Sequence, residues 1–419
     1  MARLRPAASL VEGLLRRSMG RRLDLAPQTR APRRRMNPFY ATLKTSVFST
    51  MSALAAEHGA INLGQGFPDG AGPEDVRARA AEAVLHGNNQ YPPSPGLPEL
   101  RQAVAAHYAR VQRLELDWKT QVIVTSGATE ALAAATLALI SPGDEAVILE
   151  PAYDSYGPQV LRAGGVPRFI RLEPPNWTIT REALEAVTTP RTRIVMFNNP
   201  LNPAARVYTT QEMAVLADWC VRHGVVAVCD EVWEHIVFDG RRPVSMMSLP
   251  GMAGSTVKIG SAGKIFSLTG WKVGFICAAP ELAAVIQKAH QFLTFATAPN
   301  LQAAVAYGLD KDDAYFEQMR SGFARSRDRL TAGLKSEGFA VLPSEGTYFL
   351  NVDLAASGLN LDDETFCLRA VKEAGVAAIP VSAFYAEDPV RTVVRLCFAK
   401  NDDTLDAAVE RLGRARKLV

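Results

Sequence analysis

Short, nearly continuous apolar runs alternate with amphipathic stretches through the middle of the chain. Turn residues bound each run, which is typical of strands buried on both faces of a sheet. The runs are Val122–Thr125, Ala146–Leu149, Arg168–Leu172, Ile194–Phe197, Val225–Cys229, Val257–Ile259 and Val273–Ala278. Helical patterns such as Thr129–Ile140 and Gln211–Arg222 separate several of them. The alternation predicts a doubly wound α/β domain around a mostly parallel sheet.

The pattern changes from about residue 310 onward. Long amphipathic stretches are mixed with short strands around Thr347–Val352 and Val393–Phe398, which predicts a smaller α+β domain. We therefore expect four segments along the chain. They are a disordered extension over 1–35, an N-terminal arm of the small domain over 36–65, a large domain over 66–305 and the small domain over 306–419.

Composition places the chain among globular proteins and limits its partners. Of its 419 residues, 48% are hydrophobic and 21% are charged, so the core needs no disulfide or metal to be stable. The net charge is +3, but ten arginines lie within 1–35, against Glu12 and Asp24 as the only acids there. Since the remaining chain is mildly acidic, we expect no nucleic-acid partner.

The Arg-rich segment 1–35 has two interpretations. Arginine-rich, acid-poor leaders are typical of mitochondrial transit peptides. The interpretation we favour is a disordered extension that precedes a folded chain opening near Met36. The corresponding location is cytoplasmic, with a mitochondrial location as the alternative.

Cysteines, histidines and apolar runs narrow the class further. The five cysteines form no CxxC pair, which predicts buried thiols in a reducing compartment. The six histidines show no metal-ligand spacing, so we predict no metal. Apolar runs such as Ala131–Ile140 are far shorter than the ~20 residues of a membrane span, so we expect no membrane association.

Candidate chemistry lies where the predicted strands end, because doubly wound sheets bind ligands at the carboxyl ends of their strands. The turn from Ser126 to Glu130 opens a helix and suits a phosphate, although an ordinary capped turn is the commoner explanation. Asp230 follows a buried strand, where a carboxylate needs a partner; a protonated pyridine nitrogen and a helix N-cap are both suitable.

Lys264 is the most informative of these residues. It follows a predicted buried strand in small-residue surroundings, with Lys272 eight residues further on. Burial and cationic neighbours lower the pKa of a lysine and make its amine a better nucleophile. The combination of Lys264, Asp230 and the phosphate-type turn, rather than any single residue, indicates a cofactor site.

Five ordered motifs resemble those of the fold-type I, class I aminotransferases, especially the branch of kynurenine, glutamine–phenylpyruvate and methionine transaminases. The resemblance covers nearly the whole chain from about Met36. The motifs are Asn62–Asp69, Asn199–Pro203, Asp230–Glu234, Ser261–Lys264 with Gly270–Gly274, and Val394–Phe398. The resemblance implies a pyridoxal 5'-phosphate (PLP) enzyme that moves an amino group between an L-amino acid and a 2-oxo acid.

The resemblance also assigns expected roles around the cofactor ring. Lys264 is similar to the lysine that binds the cofactor as a Schiff base and later moves the proton between substrate Cα and cofactor C4′. Asp230 resembles the carboxylate that keeps the pyridine nitrogen protonated. Asn202 resembles the amide that binds the phenolic oxygen and also contacts substrate. Tyr153 lies where the family stacks an aromatic ring on the cofactor.

The cofactor phosphate and the substrate carboxylate have counterparts in the same resemblance. The expected phosphate cradle consists of Gly127, Ala128, Thr129, Ser261 and Lys272. Arg395 resembles the arginine that binds the substrate carboxylate through two hydrogen bonds, with Gly66 offering a backbone N–H beside it. Tyr91 resembles a tyrosine lent to the partner's phosphate site, which implies a homodimer with shared sites.

Two positions depart from the family pattern. Trp233, which we include in the expected cofactor site, replaces the usual tyrosine, and an indole N–H can donate but cannot accept a hydrogen bond. Ala204 and Ala205 replace the usual Thr-Gly; because glycine favours positive φ, alanine suggests a slightly different loop path.

Three other functions are alternatives to transamination, and each requires a different sequence feature. β-Elimination from sulfur-containing amino acids, as by a cysteine-S-conjugate β-lyase, uses the same cofactor and stays open as a second activity. A non-enzymatic binding module would be expected to lack Lys264. A nucleotide-dependent oxidoreductase needs GxGxxG, and Gly64-Gln65-Gly66 does not continue that way.

The donor amino acid is less well defined by the sequence. Aromatic residues at Phe48, Phe67 and Phe292–Phe295 suggest a pocket for apolar, aromatic, methionine-like or glutamine-like side chains. Methionine, glutamine, phenylalanine and kynurenine are the candidate donors, and the sequence does not rank them.

Overall fold

A computed structural model describes residues 36–418 of the chain. The extension expected over 1–35, and with it the transit-peptide alternative, lies outside the described residues. The chain divides into two compact units, one ending at Lys44 and the other beginning at Thr45. In the first, helix α1 (Pro38–Thr42) is capped by the Asn37 side chain, which accepts a hydrogen bond from the Phe39 amide.

All further elements belong to the second unit. Its helices are α2 (Val47–Glu57), α3 (Glu74–His86), α4 (Pro98–Gln112), α5 (Trp118–Gln121), α6 (Ala128–Leu139), α7 (Tyr156–Arg162), α8 (Arg181–Val187), α9 (Thr210–His223), α10 (Ala262–Ile265), α11 (Pro280–Leu293), α12 (Pro299–Leu309), α13 (Asp313–Ser336), α14 (Asp363–Arg369) and α15 (Asp402–Lys417). Its strands are β1 (Ile61–Asn62), β2 (Val122–Thr125), β3 (Glu145–Glu150), β4 (Val166–Arg171), β5 (Thr192–Asn198), β6 (Val226–Asp230), β7 (Thr256–Ser261), β8 (Gly274–Ala278), β9 (Ala340–Val341), β10 (Phe349–Asp353), β11 (Val376–Ala377), β12 (Ile379–Pro380) and β13 (Val393–Cys397).

The large sheet has seven strands in the order β2-β8-β7-β6-β5-β3-β4. Strand β8 is antiparallel to both of its neighbours, and every other neighbouring pair is parallel. Alternate residues of β5 belong to different hydrophobic clusters, Ile194 and Met196 to one and Val195 and Phe197 to another. Both faces of the sheet are therefore covered, which confirms the predicted doubly wound, mostly parallel α/β fold and explains the continuous apolar runs.

Two smaller sheets involve the C-terminal part of the chain. Strands β12, β13, β10 and β9 form an antiparallel sheet, and β1 pairs in parallel with β11. The short strands expected near residues 347–352 and 393–398 correspond to β10 and β13. The domain boundaries at residues 65/66 and 305/306 stay a prediction. Between residues 36 and 418, no helix is long and apolar enough to cross a membrane.

The register of the large sheet brings strand ends together at one edge. Asn198 at the end of β5 pairs with Asp230 at the end of β6. Gly274 at the start of β8 pairs with both Thr125 of β2 and Ser261 of β7. Residues that are far apart along the chain therefore surround one point, as expected at the carboxyl edge of such a sheet.

Candidate active site

A cavity of about 200 Å³ lies at this carboxyl edge. It is lined by Gly127, Ala128, Thr129, Leu132, Tyr153, Asn198, Asn202, Asp230, Val232, Trp233, Ser261, Gly263, Lys264, Thr269, Lys272 and Val273. Every residue expected to bind the cofactor is among them except Tyr91. The sheet thus brings together side chains from five of the strand–helix turns.

One end of the cavity is built for an anion. Helix α6 begins at Ala128, so its first amide groups point into the cavity beside the Lys272 side chain. Gly127 has φ +78°, and a Cβ there would lie 3.3 Å from Lys272 Nζ. A Cβ on Gly274 would lie 2.8 Å from the Gly127 carbonyl carbon, so glycine is needed for this close approach. Within residues 36–418, Lys272 forms no salt bridge, and a phosphate suits both the helix end and the ammonium group.

Asp230 supplies a buried carboxylate in the middle of the cavity wall. Its Oδ2 accepts a hydrogen bond from the Tyr156 hydroxyl at 2.7 Å, and its Oδ1 faces the Val232 amide at 3.4 Å. Burial raises the pKa of Asp230 to about 6, although the Tyr156 hydrogen bond acts in the opposite direction. The residues that follow form a turn and not a helix, so the N-cap interpretation is wrong. The carboxylate is poised for a cationic partner in the cavity.

Lys264 lies in the single helical turn α10, directly after β7. Its Nζ donates to the Tyr348 hydroxyl at 3.1 Å and to the Gly66 carbonyl at 3.3 Å, and lies 4.6 Å from the centre of the Trp233 ring. Burial lowers the pKa of Lys264 to about 8, and the positive charge of Arg395 acts in the same direction. A substantial fraction of the amine is therefore neutral near pH 8, as a nucleophile must be.

Arg395 lies on β13 with its guanidinium group fully buried. Its Nη1 donates to Asn202 Oδ1 at 2.7 Å and its Nη2 to the Gly64 carbonyl at 2.8 Å. Its Nε has no hydrogen-bond partner among the described residues, and the group lies 3.9 Å from the centre of the Phe349 ring. Burial lowers the pKa of Arg395 to about 10. A carboxylate would compensate this buried cation.

The Gly66 carbonyl faces the lysine, while the role expected for the Gly66 N–H stays a prediction. The Gly66 carbonyl accepts hydrogen bonds from Lys264 and Tyr348, whereas the carbonyl that binds Arg395 belongs to Gly64. Backbone carbonyls of the Asn62–Asp69 motif therefore accept hydrogen bonds from both Lys264 and Arg395.

Tyr91 does not belong to the cavity of its own chain. Its side chain is 84% exposed and packs edge-on against Phe295, with ring centres 5.3 Å apart. The exposed position is compatible with the role expected for it at a partner's site, which stays a prediction.

Ala204 and Ala205 replace the family's usual Thr-Gly, and Ala205 has a backbone conformation that favours glycine. Ala205 adopts φ +59°, the left-handed region that glycine would favour. Its amide donates to the Leu201 carbonyl, and its carbonyl accepts hydrogen bonds from the amides of Glu345 and Gly346. The alanine takes up this strained conformation at a cost of ~1–2 kcal/mol, and the change of loop path stays a prediction.

Two contacts of this site were absent from the sequence-based expectations. Tyr156 holds Asp230, and Tyr348 contacts Lys264. Neither tyrosine falls in one of the five motifs. Tyr156 lies three residues after Tyr153, at the start of α7, and this short spacing is the local signal that could have drawn attention to it.

The family described as "Aminotransferase class I and II" matches residues 58–412. The chain is 44% identical over 381 residues to the probable N-succinyldiaminopimelate aminotransferase of Mycobacterium tuberculosis, covering 88% of this chain and 96% of that protein. A solved structure of the N-succinyldiaminopimelate aminotransferase from this organism superimposes with a TM-score of 0.88, over 91% of this chain and all of the other.

Two further relatives carry other substrate names. Identity is 40% over 388 residues to the methionine aminotransferase of Escherichia coli (strain K12), covering 93% and 98% of the two chains. It is 35% over 399 residues to kynurenine–oxoglutarate transaminase 1 of Rattus norvegicus, covering 87% and 94%.

The chain therefore belongs to the class I and II aminotransferase family, and it is a PLP-dependent aminotransferase. The resemblance drawn from the five motifs is confirmed. β-Elimination, the alternative, has no support in the names of these relatives.

Proposed function

We propose that the residues of this cavity carry out transamination in the roles that the motifs assign to them. The observation that carries the proposal is the convergence of buried charged groups that lack a counter-charge. Asp230 and Arg395 are buried and Lys264 is partly buried, and desolvation shifts the pKa of each towards the neutral form. Such groups are costly in an empty site and are stabilised by a ligand of matching charge.

The cofactor matches these groups one by one. Its phosphate fits the start of α6 and Lys272, and its pyridine nitrogen fits Asp230, whose ionised form is favoured once a cation is beside it. When bound, PLP supplies a ring that withdraws electrons from the substrate Cα. Lys264 would hold the cofactor, and its free amine would take the proton from the substrate Cα and hold it for return.

Arg395 and Asn202 hold the substrate. Because Asn202 Oδ1 accepts from Arg395, its Nδ2 group is the donor left for the cofactor's phenolic oxygen or for the substrate carboxylate. Arg395 binds that carboxylate and fixes the orientation of the Cα–H bond relative to Lys264. Tyr153 and Trp233 supply flat walls against which the ring can pack.

The substrate side chain is proposed to be apolar, aromatic or similar to methionine or glutamine. The Arg395 guanidinium is surrounded by the rings of Phe48, Phe349 and Phe384, at 5.2, 3.9 and 5.3 Å from their centres. An amino acid whose carboxylate binds Arg395 therefore places its side chain near aromatic surface. Relatives named for methionine and kynurenine fit this preference.

A homodimer is proposed as the active unit. Tyr91 and Phe292 are 84% and 86% exposed, and Phe295 is 42% exposed. Exposed aromatic side chains of this size are typical of a protein–protein interface. A second copy would cover the patch and receive Tyr91 at its phosphate site. Sedimentation velocity of the wild type and of Phe292→Asp tests the assembly; a monomeric wild type would contradict it.

A cytoplasmic location is also proposed, because all five cysteines are buried free thiols.

The central test is an absorption titration. Purified protein should show the band of the lysine-bound cofactor, lose it on addition of L-methionine and regain it on addition of a 2-oxo acid. Lys264→Ala should lack this band. A wild-type protein that shows no cofactor band after incubation with PLP would refute the proposed roles.

A further inference from the structure

Tyr348 lies directly against the amine of Lys264. It is fully buried, immediately precedes β10, and its hydroxyl oxygen is 3.1 Å from Lys264 Nζ. The same hydroxyl donates its hydrogen to the Gly66 carbonyl. Since a phenol has a single hydrogen, the oxygen can only accept a hydrogen bond from the lysine. The geometry therefore makes Tyr348 an acceptor for the Lys264 amine.

The Tyr348 hydroxyl is unsuited to proton transfer. Burial raises its pKa well above the usual value for tyrosine, and the nearby Cys397 thiol acts in the same direction. A phenol that stays neutral neither takes the substrate proton nor delivers one. Its contribution has to come from holding another group in place.

Packing fixes the direction in which the hydroxyl points. The Tyr348 ring meets Trp233 edge-on with centres 4.5 Å apart, and it also contacts Phe349 and Phe323 at 5.0 and 5.9 Å. Trp233 is itself close to the amine, but an indole cannot accept a hydrogen bond at its N–H. Of these two rings, only Tyr348 can bind the Lys264 nitrogen through a lone pair.

We propose that Tyr348 is a positioning residue for Lys264, holding the free amine in the direction from which it transfers the substrate proton. The inference rests on the proposed role of Lys264. A lysine amine is carried on a flexible four-carbon stem, and proton transfer requires it within hydrogen-bond reach of the reacting carbon. Without Tyr348, the Gly66 carbonyl at 3.3 Å would be left as the acceptor for the amine.

The test compares Tyr348→Phe with a matched control, Tyr208→Phe. Both remove one buried hydroxyl and keep the ring, but the Tyr208 hydroxyl has no hydrogen-bond partner among the described residues and lies outside the cavity. Three quantities are measured in each variant. They are the pKa of Lys264 from the pH dependence of PLP capture by the cofactor-free full-length protein, the rate of the half-reaction with L-methionine, and the isotope effect of Cα-deuterated L-methionine.

Tyr348→Phe should lower the Lys264 pKa by about one unit, because the lost acceptor stabilised the ammonium form more than the amine. The half-reaction should slow about tenfold and the isotope effect should rise, since proton transfer becomes the slower step. The KM for L-methionine, read from the concentration dependence of the same half-reaction, should stay within about twofold, because the hydrogen bonds of Arg395 are untouched. Tyr208→Phe should match the wild type in all three quantities.

Two results would overturn the inference. One is a Tyr348→Phe variant with wild-type pKa, rate and isotope effect. The other is a slower rate without a pKa shift, which is what disturbed ring packing alone would give. If Tyr348→Phe does not fold, 4-fluorophenylalanine at position 348 fills the space of the hydroxyl with a much poorer acceptor that cannot ionise, and it should shift the pKa in the same direction; an unchanged pKa there also overturns the inference. Failure of the proposed function is a different result, namely a cofactor band that persists in Lys264→Ala.

Discussion

Two lysines six residues apart, Lys258 fully buried and Lys264 partly buried, have pKa values that are shifted in opposite directions. The Lys258 ammonium group lies between the carboxylates of Glu231 and Glu234. Burial alone would lower its pKa, but the two negative charges outweigh burial and raise it. Lys264 contacts a hydroxyl and a carbonyl instead, so burial dominates and its pKa falls to about 8. The counter-charge therefore sets the direction of the pKa shift, since the more deeply buried lysine is the one whose pKa is raised.

The polar groups around the two lysines also differ in how completely they are hydrogen-bonded. Around Lys258 the carboxylates are saturated, since Tyr108 and Gln112 donate to Glu234 and Ser245 donates to Glu231. Around Lys264, the cavity leaves charged groups for a ligand to satisfy. The closed network around Lys258 stabilises β7, the strand that leads into the turn of Lys264, whereas the groups around Lys264 remain open to a ligand.

Removing the reactive lysine should have the largest effect. Lys264→Ala deprives the site of its nucleophile and its base, so we expect the transamination rate to fall about 10⁴-fold or more. The half-reaction with L-methionine, followed by absorption, measures this loss. A variant within tenfold of the wild type would show that the contrast between the two lysines has no catalytic meaning.

Removing the paired lysine should instead damage stability. Lys258→Met leaves two buried carboxylates without a cation, and we expect the free energy of unfolding to drop by about 3–5 kcal/mol. Urea denaturation at pH 7 measures the change. Glu231→Gln and Glu234→Gln introduced together with Lys258→Met should recover part of it; a fully stable Lys258→Met protein would contradict the prediction.

The same substitution at the reactive lysine should act in the opposite direction in cofactor-free protein. The folded pKa of Lys264, about 8, lies below its ordinary value of 10.5, so the folded state disfavours the proton that the unfolded state binds. Burying the charge costs about 3 kcal/mol below pH 8, and wild-type stability should rise as the pH increases from 8 to 10.5.

Lys264→Met should therefore be more stable than the wild type at pH 7, by up to about 3 kcal/mol. The difference should shrink between pH 8 and 10.5. Urea denaturation of both cofactor-free proteins across this range provides the measurement. A variant that is less stable than the wild type at pH 7 would mean that Lys264 has a favourable partner comparable to that of Lys258.

The smallest effect concerns the carboxylate beside the cavity. Tyr156→Phe removes the hydroxyl that donates to Asp230, so the pKa of Asp230 should rise above about 6 and its charged form should become harder to maintain. We expect the Kd for PLP to increase about tenfold, corresponding to the loss of one hydrogen bond to a charged group. Fluorescence titration of the cofactor-free protein measures it, with Tyr208→Phe as control; an unchanged Kd would assign Tyr156 to packing alone.

Much of the fold could be predicted because its signals are local. Strands buried on both faces require nearly continuous apolar residues, and each of the seven runs coincides with a strand of the large sheet to within about two residues. Lys264 and Asp230 were identified because ligands bind where such strands end. The left-handed Ala205 was not expected, because backbone strain depends on the contacts that compensate it and not on the residue type alone.

The sequence by itself determined the order of strands and helices along the chain, the family and most of the residues that line the cavity, because these depend on local periodicity and on motifs of a few residues. Only the tertiary structure decided that Tyr348 meets Lys264 across 84 positions of sequence and that Tyr156 meets Asp230 across 74. It also decided that the charge of Lys258 is paired with two carboxylates, whereas Lys264 has no carboxylate in contact with it. The pKa of a buried lysine depends on the charges within a few ångströms of it, and those neighbours are chosen by how distant segments pack.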